Sequence, residues 1–293
     1  MPQLFGPARR VGTGAASAAA LLFASFLPPA ITQNTKQHPC AVATPLINSQ
    51  NALKTKRLRI ALRAKLTKVP VFMVTNEAAS PYLSQLPTGD QTALMFLYPT
   101  EADRMLQGVQ KAPNAAGAKI HVTNLDRAFR LALREPRLSG LRDQTTNREL
   151  TMVWQFMPNG VEMRNAQSRL VKSLKVSGSP KIPAYMVEGL VYNKRGKEIR
   201  PVFLSASDAD EAVSQLVQQT ELGSKPAVEV LDLMELLVQL EEDIIMDPTS
   251  VEAELSSLEF VPPSESTAFQ RKLESDKVPL QARVFPPTRG LLG

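Results

Sequence analysis

Side chains able to do acid–base, nucleophilic or metal chemistry are few in this chain, and their spacing does not suit such chemistry. The histidines are His38 and His121, and the one cysteine is Cys40. A Ser-His-Asp or Cys-His arrangement would have to use His121, because His38 and Cys40 lie in a segment that reads as a leader. His121 stands inside the run Lys119-Ile120-His121-Val122, which is expected to be a strand. Zinc needs about four Cys, His or carboxylate ligands, and the usual set cannot be assembled here. A lone cysteine also rules out an intramolecular disulfide. Neither a Walker loop nor a dinucleotide loop is present, since Gly12-Thr13-Gly14 has no strand before it. Carboxylates cluster at Glu241-Glu242-Asp243 and at Asp208 with Asp210, where helix ends or solvent-facing surfaces are expected. Lys194-Arg195-Gly196-Lys197 reads as a hairpin turn in preference to a nucleic-acid contact. Trp154, Phe156, Tyr185 and Phe203 occupy apolar runs and are expected in the core. No catalytic, cofactor-binding or metal-binding residue is therefore assigned, no cofactor is expected, and the chain reads as a non-enzyme.

Charge divides the chain. The first acidic residue is Glu77, and 10 basic residues precede it, from Arg9 to Lys68. Residues 77–293 hold 24 basic against 28 acidic residues, so the basic balance belongs to the N-terminal stretch and argues for targeting, not nucleic acid. Arg9 and Arg10 precede an apolar run, residues 15–27, that Pro28-Pro29 end; these are the length and flanks of a signal-peptide h-region. Its 13 residues fall short of the roughly 20 needed to span a bilayer. Residues 31–68 are polar, basic and free of acids, a transit-peptide composition. A two-part leader, a single long transit peptide and a bacterial export signal all fit.

The elements that would position any site come in two matching sets. Lys68-Val69-Pro70-Val71-Phe72-Met73-Val74 returns as Lys181-Ile182-Pro183-Ala184-Tyr185-Met186-Val187. The runs at 93–103, 118–126 and 154–158 then answer in order to those at 200–210, 226–234 and 258–262, with offsets drifting only between 104 and 113 residues. That period is too long for a solenoid and points to a duplicated domain. Each half reads as strand, strand, helix, strand, helix and an F-x-P element, so the expected fold is α/β, two similar halves packed as one pseudo-symmetric body. The first helices are expected to start at Thr100 and Ser207 as capping boxes with Asp103 and Asp210, and the second after the N-caps Asn124 and Asp232. Residues 134–148 read as a surface connection.

Four sets of residues carry a resemblance. They are Val69-Pro70-Val71-Phe72 with Thr75-Asn76; Ile182-Pro183-Ala184-Tyr185; Pro201-Val202-Phe203-Leu204 leading to Asp208; and Phe156-Met157-Pro158 followed by Arg164-Asn165-Ala166. In this order they resemble the family of the twenty-two-kilodalton component of the chloroplast inner-envelope translocon, over about residues 66–272. The resemblance implies a soluble, chaperone-like protein import factor of the plastid intermembrane space, with a hydrophobic pocket on each half. Its implied partners are unfolded precursor proteins and other translocon subunits, with peripheral membrane association at most. A scaffold that docks only folded translocon subunits, or an enzyme with an unfamiliar site between the halves, are the alternatives. The expected organisation is a cleavable leader at 1–65, halves at 66–177 and 178–275, and a flexible tail at 276–293.

Overall fold

Eight helices and eleven strands make up the described residues of the structure, a computed structural model that describes residues 49–85, 90–112, 115, 117–143, 146–173, 180–220 and 225–275. In chain order the first part comprises α1 (Ser49–Leu66), β1 (Pro70–Thr75), β2 (Leu83–Gln85), β3 (Gln91–Phe96), α2 (Pro99–Gln110), β4 (Lys119–Asn124), α3 (Leu125–Ala132), β5 (Arg137–Arg142), β6 (Glu149–Met157) and α4 (Gly160–Ser173). The second comprises β7 (Pro183–Val187), β8 (Tyr192–Lys194), β9 (Lys197–Phe203), α5 (Ala206–Thr220), β10 (Val228–Asp232), α6 (Leu233–Met246), α7 (Ser250–Ser257), β11 (Leu258–Val261) and α8 (Ser264–Ser275). The mixed α/β class is as the sequence suggests. The tail at 276–293, and His38, Cys40 and the Gly12-Thr13-Gly14 segment, lie outside the described residues.

The strands form two sheets, ordered β4-β1-β3-β6-β5 and β10-β7-β9-β11, with β2 on β3 and β8 on β9. Directions correspond as well as order: β1 is antiparallel to β3 and β4, as β7 is to β9 and β10, while β3 runs parallel to β6 and β9 to β11. Even the register matches, with Phe72 opposite Phe96 and Tyr185 opposite Phe203, and with Pro70 opposite Asn124 and Pro183 opposite Asp232.

Successive residues of these strands serve different cores, because side chains alternate across a pleat. Val71, Met73 and Met95 from the first sheet share one core with Ala184, Val202 and Leu204 from the second. Phe72 and Phe96 face a separate cluster on the other side of the first sheet, and Tyr185 and Phe203 face another on the second. Burial on both faces is why β1 and β7 read as unbroken apolar runs in sequence.

The second helix of each half begins where the sequence places it. Asn124 Oδ1 accepts from the Arg127 N–H at 3.0 Å, and Asp232 Oδ1 accepts from the N–H groups of Met234 and Glu235 at 2.8 and 3.2 Å. The other carboxylate oxygen of Asp232 accepts from the Lys181 N–H at 2.5 Å, so one side chain ties the start of β7 to the start of α6. Asp232→Ala should therefore cost more than an ordinary cap, about 2 kcal/mol, read as a lower midpoint in urea at unchanged slope.

Three expectations are corrected. The first helices start earlier than Thr100 and Ser207: Pro99 opens α2, its N-cap Tyr98 gives no side-chain cap, and on α5 it is Ser205 Oγ that accepts from the Asp208 N–H, at 3.4 Å. Pro favours the first helical position, where its missing N–H goes unused. Residues 137–142 are not a bare connection but β5, an edge strand on β6 with an irregularity between Leu138 and Arg142. The folded body also begins before residue 66. Residues 49–65, read by composition as leader, are in α1, whose Leu58, Leu62 and Leu66 enter the shared core. Lysines and arginines around this stripe, spaced by four residues, mask it in the composition.

Candidate functional site

The helices that follow β6 and β11 each cross to the other sheet. The α4 helix follows β6 of the first sheet but packs on β7, β10 and α5, whereas α8 follows β11 of the second sheet but packs on β1 and α2. Each crossing helix caps the large ring at the centre of the sheet it reaches. The Arg169 guanidinium stands 5.6 Å over the Tyr185 ring, and Phe269 meets Phe72 edge-on with centroids 5.5 Å apart. Buried polar groups fix the crossings: Glu162 Oε2 accepts from the Ala206 N–H at 3.0 Å, and Ser266 Oγ donates to the Leu97 carbonyl at 2.6 Å. Glu162 thus meets the N-terminus of α5, where orphan N–H groups and the helix dipole favour negative charge.

This seam is built to hold, with little room to react. Tyr98 donates to the Leu204 carbonyl at 2.9 Å and Tyr185 to the Glu162 carbonyl at 3.1 Å. Burial, reinforced by the nearby Glu162 charge, pushes both phenols well above their usual range, so they remain neutral donors. The cavity beside Tyr98 and Glu162 measures only about 10 Å³, too small for more than one water.

Space for a ligand lies on the second half, around the turn after β7. There a cavity of about 470 Å³ is lined by Met186, Leu190, Val191, Pro201, Val228 and Val230, with Arg169, Glu188, Arg200 and Glu229 also on its wall. A neighbouring cavity of about 420 Å³ shares Leu190, Val191 and Pro201 and continues along Ala212 and Leu216 of α5. Together they make an apolar trough flanked by charges. A groove of about 650 Å³ also lies between α2 and α8, where Pro99, Ala268 and Phe269 are interleaved with Asp103, Arg104, Glu265 and Lys272.

The residues singled out by type fall into structural roles. His121 pairs opposite Met73 in β4, with its pKa lowered by burial and by Arg127 and Lys119. Asp208 accepts from Ser264 Oγ at 2.6 Å, Asp210 pairs with Arg169 at 2.6 Å, and Glu241 stands 3.9 Å from Arg130. Asp243 accepts from Gln239 at 2.8 Å and Glu242 is exposed. Among the described residues, no group of three or more His, Cys, Asp or Glu could hold a metal ion. Lys194 to Lys197 do form a hairpin turn, with Arg195 at φ 55° and Gly196 at φ 76° as a type I′ turn requires. Phe156, Tyr185 and Phe203 are buried and Trp154 is partly so. Sequence reasoning missed Glu162 and Ser266, although they follow Phe156-Met157-Pro158 and Phe260-Val261-Pro262 at the same distance, a matching spacing that could have marked them.

Comparison with known proteins agrees with this architecture. No match to a curated protein is found. Among solved structures, Tic22 from Plasmodium falciparum aligns with a TM-score of 0.55 at 23% identity, over 74% of this chain and 99% of that one. An Anabaena Tic22, described under protein transport, aligns with a TM-score of 0.55 at 20% identity, over 73% of this chain and 96% of that one. The model of the Tic22-like family matches residues 22–272, and the chain belongs to that family.

Proposed function

We propose that this protein is a non-enzymatic import factor that holds unfolded precursor proteins as they cross the plastid envelope, with the trough around Leu190, Val191 and Pro201 as its client site. Membership of the family supports a protein-transport role in the context of a translocon, and the family is associated with the intermembrane space of the plastid envelope. The observation that carries the client site is the trough: apolar lining without directional partners suits many sequences, and a charged rim keeps the surface wet. No described helix is long and apolar enough to cross a membrane, and membrane association is proposed to be peripheral at most. Partners are unfolded precursors and other translocon subunits; no nucleic acid or cofactor is invoked. The matching sheets support a duplication with halves at 66–177 and 178–275. A cleavable leader, proposed for the N-terminal stretch, must on this reading end before α1, and the tail at 276–293 is proposed to be flexible.

The test is fluorescence anisotropy of residues 46–293 with labelled unfolded precursors, and with the same precursors folded. Val191 is 44% exposed, so Val191→Asp should leave folding intact and weaken binding of the unfolded forms about tenfold, the loss of one buried aliphatic contact. Leu53→Asp, at a position 59% exposed on α1, should bind as the parent does. Equal loss in both variants, or turnover of one defined small molecule, would end this reading. The exposed Leu138 and Leu141 of edge strand β5 favour a second reading, a scaffold for folded translocon subunits. Crosslinks from β5 that recover membrane subunits, with none to a precursor from the trough, would decide for it.

A further inference from the structure

Two chain segments remote in sequence bring their cations to one further cavity. The end of α1 and the residues after it supply Lys65 and Lys68, and the β8–β9 turn supplies Lys194, Arg195 and Lys197. Glu259 of β11 is the one carboxylate in the lining of this cavity, which measures about 430 Å³. We propose that it binds a multiply charged phosphate-bearing anion.

The charge arrangement argues for an occupant. Glu259 is already engaged by Tyr192 Oη and by Lys194 Nζ at 2.6 Å. Burial acts to raise its pKa, but those two hydrogen bonds outweigh burial and hold it below the ordinary carboxylate range, so it stays ionised. It neutralises one cation and no more. Lys65 Nζ donates to the Leu258 and Ser256 carbonyls, which orient the ammonium without cancelling its charge. Burial lowers the Lys65 pKa, and Lys68, Lys197 and Lys194 lower it further against the pull of Glu259. Lys68, Arg195 and Lys197 meet no carboxylate within ion-pair distance among the described residues. Like charges gathered on a concave surface repel one another and cost stability until an anion joins them. The turn adds to this, since Arg195 takes up a left-handed backbone that a non-glycine residue adopts at a cost.

The ligand class follows from the donors. Several cations converging from different directions suit the oxygens of a phosphate better than one planar carboxylate, and Arg195 can give two parallel N–H groups to it. Ile199 and Phe260 line the same cavity, so an apolar body can accompany the phosphate. A soluble phosphate ester and a phosphomonoester lipid headgroup share this chemistry.

The experiment uses the full-length protein. Inorganic pyrophosphate is titrated calorimetrically at fixed ionic strength, and in parallel the protein is sedimented with phosphatidylcholine vesicles with and without phosphatidic acid. Lys68→Gln and Lys197→Gln should each weaken binding about tenfold, as expected for one lost charged hydrogen bond. Each should also raise the melting temperature of the unliganded protein, which a merely structural lysine would lower. Saturable pyrophosphate binding with both effects supports a soluble ligand; binding to phosphatidic acid vesicles alone, with both effects, supports a lipid headgroup. The proposal is overturned if neither probe binds, if the variants bind as the parent does, or if poly-glutamate competes where phosphate does not. None of these outcomes bears on the trough.

Discussion

Protein lacking residues 49–66 is expected to show no cooperative unfolding transition, whereas residues 46–293 show one. Leu58, Leu62 and Leu66 are 6%, 2% and 1% exposed and lie in the core shared by both sheets. Truncating a buried leucine typically costs about 2–5 kcal/mol, and a whole domain is stable by about 5–15 kcal/mol, so three such losses consume most or all of it. Polar contacts fail at the same time. Asp126, 4% exposed, accepts from Arg63 and from Arg130 at 3.0 Å each and would keep one partner of two. Lys54 would leave Glu252, a 2.8 Å pair exposed enough to matter little. Leu62→Ala, as the milder variant, should lower stability by about 3 kcal/mol in urea. An unchanged midpoint in both proteins would make α1 a passenger and return residues 49–65 to the leader.

Cutting the chain between α4 and β7 is expected to leave neither piece folded alone, and mixing the pieces should restore the parent spectrum. A piece ending with α4 keeps that helix but loses the sheet it covers, and its own Phe72 loses Phe269 of α8. The other piece loses Arg169 from above Tyr185 and the Glu162 acceptor at Ala206. Uncovering a side chain of this size costs about 1.5–3 kcal/mol, and the shared core would be divided as well. Circular dichroism and size exclusion of each piece, then of the equimolar mixture, read the result. A half that melts cooperatively by itself would contradict the mutual dependence.

What could be read in the sequence depended on how local the cause was. The strand runs at 69–74 and 182–187 were legible because burial on both faces writes itself as an unbroken apolar run. Asn124 and Asp232 were legible because a cap acts within three residues. The β5 strand was not: an exposed edge carries Arg137 and Arg142 and bends at Gly140, all of which read as loop. The α1 helix was hidden because basic residues outweigh a three-leucine stripe in any composition window. The seam at Glu162 and the cation-lined cavity join residues tens to nearly two hundred positions apart, and no single-sequence pattern marks such a meeting. The trough was anticipated only as a pocket on each half, and its residues emerge from packing.

Position in the chain gives α1 a further consequence. It lies near the start of the folded body, yet Thr55 donates to the carbonyl of Ile244 and Lys65 to that of Leu258, 189 and 193 residues downstream. Contacts so remote form late, because the long intervening loop must close first. A polypeptide threading a pore N-terminus first would deliver α1 early and its partners almost last. Until α6, α7 and β11 emerge, the leucine face has only α3 and its neighbours to pack against, and the core stays incomplete. A chain built this way and passed through a pore would complete its folding only near the end of transit, and until then would resemble the unfolded cargo that it is proposed to receive.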